Sequence, residues 1–325
     1  MADSPVVLGL DFGGTKIAVA VCGPEGERLA SATVPSGGET GARAAFQRGV
    51  VAARDLLTAA ASGRELAAVG VSTFGIPFDD RVELAPAIEG WGELPLGREL
   101  RAAFPGVAIR MATDAKAAAQ AEARWGALAG CDPAIYLNLG TGLSAAIVVG
   151  GQVLNGSNGA AGEIGYNLRT ASDVGAPLAA RVMLEDMVSG QALARRVAAD
   201  HGQPMEAGEV FEASRDVPGL DRLVTDFVSE LSFHVVNLAI CVNPARIAVG
   251  GGMVRSWEYL RPGLEQALSA GVPFPPELVV AKFPSEAPLI GAVALALDAI
   301  SARDDRTDEY GVNLSSVMLS EGIPT

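Results

Sequence analysis

The chain has 325 residues, 49% hydrophobic and 19% charged, ordinary values for a water-soluble globular protein large enough for two domains. Its 38 acidic and 24 basic residues give a formal net charge of −14, which argues against sequence-independent nucleic-acid binding, a function that needs clustered Lys and Arg. The first residues lack a basic stretch followed by an apolar segment and a cleavage site, and no uninterrupted apolar run is long enough to span a bilayer. A cytoplasmic protein with no membrane partner is therefore expected.

Residues 6 to 34 read as a three-stranded antiparallel meander. Apolar positions at Ala45, Phe46, Val50, Leu56 and Leu57 predict a helix from about Thr40 to Ala61. Leu66 to Ser72 follows as a buried strand, and Thr73-Phe74-Gly75-Ile76-Pro77 as a loop leaving its end. A helix near Arg98 to Phe104 and a strand at Val107 to Met111 bring the first lobe to its end at Thr113-Asp114. The second lobe repeats the scheme: a helix over Ala115 to Leu128, a meander over Ala134 to Leu154, then a Gly-rich loop from Gly156 to Gly165. Leu178 to Cys241 is mostly helical with breaks near 202–208 and 216–219, and the strand Arg246 to Val249 leads into Gly250-Gly251-Gly252. A helix over Trp257 to Ala270, a strand over Leu278 to Lys282 and a helix over Leu289 to Ile300 close the fold. This order predicts an α/β architecture with a small domain over residues 1–114 and a larger one over 115–302. The last helix is a candidate to pack back on the small domain, and residues 303–325 read as a loosely held polar tail.

Two segments share one plan. Residues 7–22 contain Asp11-Phe12-Gly13-Gly14-Thr15-Lys16, and residues 134–149 contain Asn138-Leu139-Gly140-Thr141-Gly142, each between two apolar strands. Such duplication implies related lobes that present backbone amides to one ligand between them. Gly-rich amides joined to a hydroxyl and an ammonium suit a polyphosphate. Gly13 and Gly14 let the backbone approach the ligand without a Cβ, Thr15 and Lys16 can donate to phosphate oxygens, and Asp11 is placed to hold Mg²⁺ directly or through water. A lone Asp-x-Gly-Gly-Thr is as well explained by a plain hairpin turn; its partner at Gly140-Thr141-Gly142 favours the phosphate site. Gly250-Gly251-Gly252 suits an adenine or ribose against the backbone, or simply a tight strand-to-helix connection. The class implied is a nucleotide phosphotransferase using ATP and Mg²⁺.

Asp114, after a strand and before an Ala-rich helix, reads either as a general base for a substrate hydroxyl or as part of an N-cap with Thr113. Glu163 is a carboxylate in a Gly-rich loop, explained equally well as a solvated acid, and Glu185 lies on an amphipathic helix, where a surface or salt-bridging role is the default. His234 reads as a core or interface residue and His201 as a loop residue. Cys22, Cys131 and Cys241 lack metal or redox spacing and read as small buried thiols in a reducing compartment.

Together these segments resemble the ROK family of sugar kinases, transcriptional repressors and related proteins, which has the actin-like, hexokinase-like ATPase fold. The resemblance runs through Leu10-Asp11-Phe12-Gly13-Gly14-Thr15-Lys16, Gly75-Ile76-Pro77, Ala85-Pro86, Gly90-Trp91, Thr113-Asp114-Ala115 and Glu122. It continues through Leu139-Gly140-Thr141-Gly142, Ala161-Gly162-Glu163-Ile164-Gly165, Leu184-Glu185, Asn243-Pro244 and Gly250-Gly251-Gly252. It implies that Asp114 is the catalytic base, that Glu163 and Glu185 bind substrate hydroxyls beside Gly75, Thr113 and Tyr166, and that both Gly/Thr turns hold the ATP phosphates. It also implies a homodimer.

The departures lie in the acceptor pocket. Glucose-type members usually have Asn where this chain has Thr113 and Ala87, Asn in place of Lys116, and His in place of Tyr166. That histidine usually ligates a structural zinc with three downstream cysteines; no cysteine stands between Cys131 and Cys241, so no zinc site is expected. Altered pocket residues beside intact phosphate turns imply a kinase with a changed acceptor, a sugar or a sugar-like cyclitol as in the branch resembling C7-cyclitol kinases. The alternatives are an ordinary glucokinase or hexokinase and a catalytically silent sugar-binding sensor. A repressor is disfavoured, because family repressors carry a helix-turn-helix ahead of the first strand, which here begins near Pro5.

Overall fold

The structure is a computed structural model that describes residues 4–202 and 204–309. The apolar N-terminal segments form β1 (Val6–Phe12), β2 (Lys16–Cys22) and β3 (Arg28–Pro35), then α1 (Ala42–Ala60) and β4 (Leu66–Thr73). A two-stranded ribbon, β5 (Ile76–Pro77) and β6 (Val82–Glu83), precedes α2 (Leu96–Ala103) and β7 (Ala108–Thr113). The second lobe starts with α3 (Asp114–Trp125), β8 (Ala134–Leu139), β9 (Leu143–Val149) and β10 (Gln152–Val153). Then follow α4 (Gly190–His201), α5 (Ala207–Ala213), α6 (Leu220–Val242), β11 (Arg246–Gly250), α7 (Trp257–Gly271), β12 (Glu277–Val280) and α8 (Ala287–Glu309).

The two large sheets have the same topology, β3-β2-β1-β4-β7 and β10-β9-β8-β11-β12, an antiparallel meander continued by two parallel strands. Asp11 stands opposite Ser72 in the first sheet, and Asn138 stands opposite Gly250 at the matching place in the second. Both lie at the carboxyl ends of parallel strands, where open α/β sheets bind ligands.

Strand alternation divides the packing. Val6, Leu8, Leu10 and Phe12 point into one core with α1, whose buried positions Ala42, Ala45, Phe46, Gly49, Val50 and Ala53 form one helical stripe. There Phe12 packs between Phe46, on which it stacks, and a tilted Trp91, with ring centroids 6.0 and 5.4 Å away, and the Trp91 indole N–H donates to the Thr73 hydroxyl at 3.1 Å. Val7 and Gly9 face the other way, onto α8. This approach is close: a Cβ at Gly70 would stand 1.8 Å from the Ala292 carbonyl oxygen, and one at Gly291 would stand 1.7 Å from that of Ala117. Thus α8 is held between the first sheet and α3. The second lobe buries its own core on α6 and α7.

Several expectations shift. The stretch from Leu178 forms a 3₁₀ turn and irregular turns up to Ser189, so Glu185 lies on a loop and not on a helix. Tertiary bonds override the helical spacing: the Glu185 amide donates to the Gly165 carbonyl at 3.1 Å and Arg181 to that of Tyr166 at 2.8 Å. The last helix runs to Glu309, so residues 303–309 are helical; residues 310–325 lie outside the described residues. Cys241 is exposed on α6 and Cys131 is half-buried, leaving Cys22 as the buried thiol. By length and composition α6 could cross a bilayer, with a mean hydropathy of 1.3, but its stripe of Phe227, Leu231, Val235 and Ala239 packs in the core.

Candidate active site

The first glycine turn is shaped by its own backbone. The Gly13 amide donates to the Lys16 carbonyl at 2.9 Å, and a Cβ at Gly13 would meet that same oxygen at 2.9 Å. Ser36 braces the turn from behind: its hydroxyl donates to the Gly14 carbonyl at 2.6 Å and its amide to that of Thr15 at 3.0 Å. Arg48 in turn holds the Ser36 carbonyl, with Nη2 at 2.6 Å. Thr15 and Lys16 are left exposed. Beside this turn, the Ser72 hydroxyl donates to Asp11 Oδ1 at 2.8 Å. Burial nonetheless pushes the Asp11 carboxyl up to about 7, and the neighbouring Asp114 charge adds to that push.

The second turn is fastened to the start of α4. The Gly190 amide donates to the Gly140 carbonyl at 2.8 Å and that of Gln191 to Thr141 at 3.4 Å. Gly251 has φ of 88°, and a Cβ there would stand 2.4 Å from the Leu139 carbonyl oxygen, so only glycine lets the third turn lie against the second. Between these turns opens a cavity of about 750 Å³, lined by Gly140, Thr141, Gln191, Gly252 and Ser256, with Glu212 and Gly208 of α5 opposite. Its size is that of a small-molecule site. The α4 and α5 wall was missed in the sequence, where nothing ties Gln191 or Glu212 to glycines far along the chain.

The acid side of the cleft gathers around Asp114, the first residue of α3. Thr113 is the N-cap, its hydroxyl accepting the Lys116 amide at 3.4 Å, while Asp114 Oδ1 accepts the Ala115 amide at 2.7 Å. Burial raises the Asp114 pKa, with the Glu185 charge contributing. Glu163 is pushed up to about 7 by burial, against the pull of Lys116 and with the repulsion of Asp114 and Glu185. Burial and the same two glutamates raise the Tyr166 phenol. Glu185 Oε2 accepts the Leu143 amide at 2.7 Å, a Cβ at Gly142 would meet it at 2.4 Å, and the Glu185 amide donates to the Gly165 carbonyl at 3.1 Å, so this residue ties the second glycine turn to the Glu163 loop.

Two pocket positions serve structure. Gly75 has φ of 76°, and a Cβ there would stand 2.6 Å from the Ala85 Cβ, which makes it a tight-turn glycine. Ala87 abuts Gly14, 3.3 Å from where a Cβ would stand. The sequence also gave no sign of Ser72 and Ser36, small polar residues whose roles depend on strand register and loop return.

Among the described residues no group of three or more His, Cys, Asp and Glu is placed to hold a metal. Asp11, a single carboxylate repelled by Asp114, suits the way Mg²⁺ binds through one or two carboxylates, waters and substrate phosphates.

A duplicated sheet with glycine turns at matching strand ends, and an acidic cleft between, defines the two-lobed actin-like ATPase fold. The chain belongs to the ROK family, whose sequence profile matches residues 7–299. It is 31% identical over 307 residues to the bifunctional enzyme NanE/NanK of Brucella melitensis, covering 90% of this chain and 54% of that enzyme; the chain thus spans about half the length of that relative. A ROK hexokinase from Thermus thermophilus superposes with a TM-score of 0.77 at 29% identity, covering 92% of this chain and 99% of that one. A ROK family glucokinase from Streptomyces griseus, in complex with glucose and AMPPNP, superposes with a TM-score of 0.71 at 27% identity, covering 90% and 99%.

Proposed function

We propose that this chain transfers the γ-phosphoryl group of ATP to a hydroxyl of a sugar or a sugar-like cyclitol, with Asp114 as general base. The observation that carries this reading is the position of Asp114, at the carboxyl edge of the first sheet between the glycine turns and two further carboxylates. The similarity to a hexokinase and to a glucokinase bound to glucose and AMPPNP supports the same chemistry.

In this mechanism the cavity beside Gly140 and Gly252 takes the nucleoside, and the amides of both turns meet the phosphates. Glu163 and the free Oε1 of Glu185 accept acceptor hydroxyls and fix the ring, since each carboxylate can accept two donors. Asp114 takes the hydroxyl proton as the oxygen attacks the γ-phosphorus; the bond to the β-phosphate oxygen breaks and ADP leaves with the electron pair. Asp11 would hold Mg²⁺ directly or through water, which would supply neutralisation of phosphate charge. Desolvation in the cleft favours a base with a raised pKa, which is better able to take a proton near neutral pH.

The changed acceptor is supported by three positions. The Thr113 hydroxyl is committed to capping α3, Ala87 offers no hydrogen bond, and Tyr166 brings a phenol to the wall shared with Glu163 and Glu185. The reading includes a cytoplasmic homodimer, for which an apolar groove of about 720 Å³ between α6 and α7, beside exposed Phe233, offers a surface. The test is ADP release from Mg-ATP across glucose, mannose, amino and N-acetylated hexoses, fructose and cyclitols. Turnover of cyclitols above hexoses supports the specialised acceptor, and turnover of glucose first supports an ordinary hexokinase. ATP binding with no turnover on any of them leaves a sensor.

A further inference from the structure

Lys116 stands in the first turn of α3, two residues after Asp114, and only 3% of it is exposed. An ammonium so placed must be compensated. Its Nζ donates to the Gly159 carbonyl, and its charge faces Glu163; both belong to the loop over residues 156–165. Gly159 has φ of 76°, and a Cβ there would stand 2.8 Å from Ile76 Cγ2, so Lys116 grips the loop where it reaches across to the first lobe. The other groups facing Glu163 are Asp114 and Glu185, which repel it, and the Tyr166 phenol. Lys116 is the cation in this set.

We propose that Lys116 is a positioning residue for the acceptor: by holding the Gly159 carbonyl and facing Glu163, it fixes the 156–165 loop and keeps the Glu163 carboxylate ready to accept acceptor hydroxyls. This rests on the kinase reading for its catalytic consequence, but the loop-holding part does not. Burial pulls the Lys116 ammonium below its ordinary range, and the Glu163 charge opposes that pull. Lys116 opposes the burial and carboxylate repulsion that favour protonated Glu163, so removing it must extend protonation to higher pH.

The test compares wild type, Lys116→Met, Lys116→Gln, Glu163→Gln and the double variant Lys116→Met/Glu163→Gln, using an acceptor that the wild type phosphorylates. Lys116→Met is expected to raise the acceptor KM about tenfold, the low end for a lost charge-assisted bond, with the ATP KM changed less than about twofold. It should also move the acid limb of kcat/KM for the acceptor upward by about one pH unit, a change of about tenfold in the protonation equilibrium. The limb assigned to Glu163 should be missing from Glu163→Gln, and Lys116→Met should cause no further shift in that background, whereas a merely structural role would leave the limb unmoved in Lys116→Met itself.

Amide hydrogen exchange over residues 156–165 is read on the same unliganded proteins and should be faster in Lys116→Met. Lys116→Gln keeps a donor for Gly159 without the charge, so it should exchange near the wild-type rate while its acid limb still moves. Unchanged acceptor KM together with unchanged loop exchange in Lys116→Met overturns the proposal. If the wild type turns over no acceptor, the kinase reading falls; the exchange rates then decide the loop-holding role, faster exchange upholding it and unchanged exchange overturning it.

Discussion

Glu122 is fully buried near the end of α3, the helix that begins with Asp114, and its carboxylate accepts three backbone amides from two segments. Oε1 accepts the Phe283 amide at 2.8 Å, and Oε2 accepts the amides of Ala127 at 2.6 Å and Lys282 at 3.1 Å. These bonds fasten the end of α3 to the segment leading into α8, the two helices that run between the lobes. Glu122→Gln preserves the shape and removes the charge. In its better orientation the amide oxygen keeps the Ala127 and Lys282 bonds as weaker neutral ones, and the new NH₂ faces the Phe283 N–H with nothing to accept. An orphaned buried donor costs about 1–3 kcal/mol, and the two weakened bonds add about 0.5–1 kcal/mol each. The lower cost of burying an amide rather than a carboxylate offsets part of this, leaving a net loss of about 2 kcal/mol. Urea unfolding of both proteins, at equal slope, measures it directly. A loss below about 0.5 kcal/mol, or a gain, would show that desolvation of the carboxylate cancels its bonds and would refute the reasoning.

Other predictions follow from the same geometry. Gly291→Val forces a side chain into the Ala117 carbonyl, 1.7 Å from the Cβ position, and should lower stability by about 3 kcal/mol or more, seen as a fall in Tm; an unchanged Tm would mean the contact of α3 with α8 is loose. Glu163→Gln should raise the acceptor KM about tenfold or more with turnover still measurable, while stabilising the unliganded protein at pH 8 and leaving it unaffected at pH 4. The folded pKa of Glu163, about 7, lies above its ordinary value of 4.5, so the native state binds the extra proton and this group's contribution to stability falls as pH rises from about 4 to about 7. Denaturation curves at the two pH values check it, and equal effects at both would contradict the assigned burial. Ser72→Ala removes the donor that holds Asp11 Oδ1 and opposes its protonation, so a lower affinity for Mg-ATP near pH 7 is expected by calorimetry, with recovery at higher pH; a loss equal at all pH values would argue against the carboxylate's titration as its cause.

The sheets were legible because their strands are near-continuous apolar runs between glycine turns, and the duplication of Asp11-Phe12-Gly13-Gly14-Thr15 at Asn138 to Gly142 exposed the two-lobed plan. Strand ends moved by a residue or two, as at Thr113, which closes β7 and caps α3 at once. Periodicity failed at Glu185. Its segment has helical spacing, yet bonds to Gly165 and Leu143, distant in sequence, hold it as a turn. Lys116 was visible only as a departure from the family pattern; its burial and its bond to Gly159 depend on how the Gly-rich loop folds back over α3. The cavity proposed for the nucleoside was half legible, through its glycines, and half hidden in α4 and α5, whose wall residues belong to no recognisable motif.

The most direct test of the central claim is Asp114→Asn, with phosphotransfer to the best acceptor and nucleotide affinity measured on the same protein. The general-base assignment predicts a loss of kcat of about 10²- to 10⁴-fold with nucleotide binding retained within a few-fold. Turnover near the wild-type rate would contradict it and leave Asp114 as part of the α3 N-terminus alone.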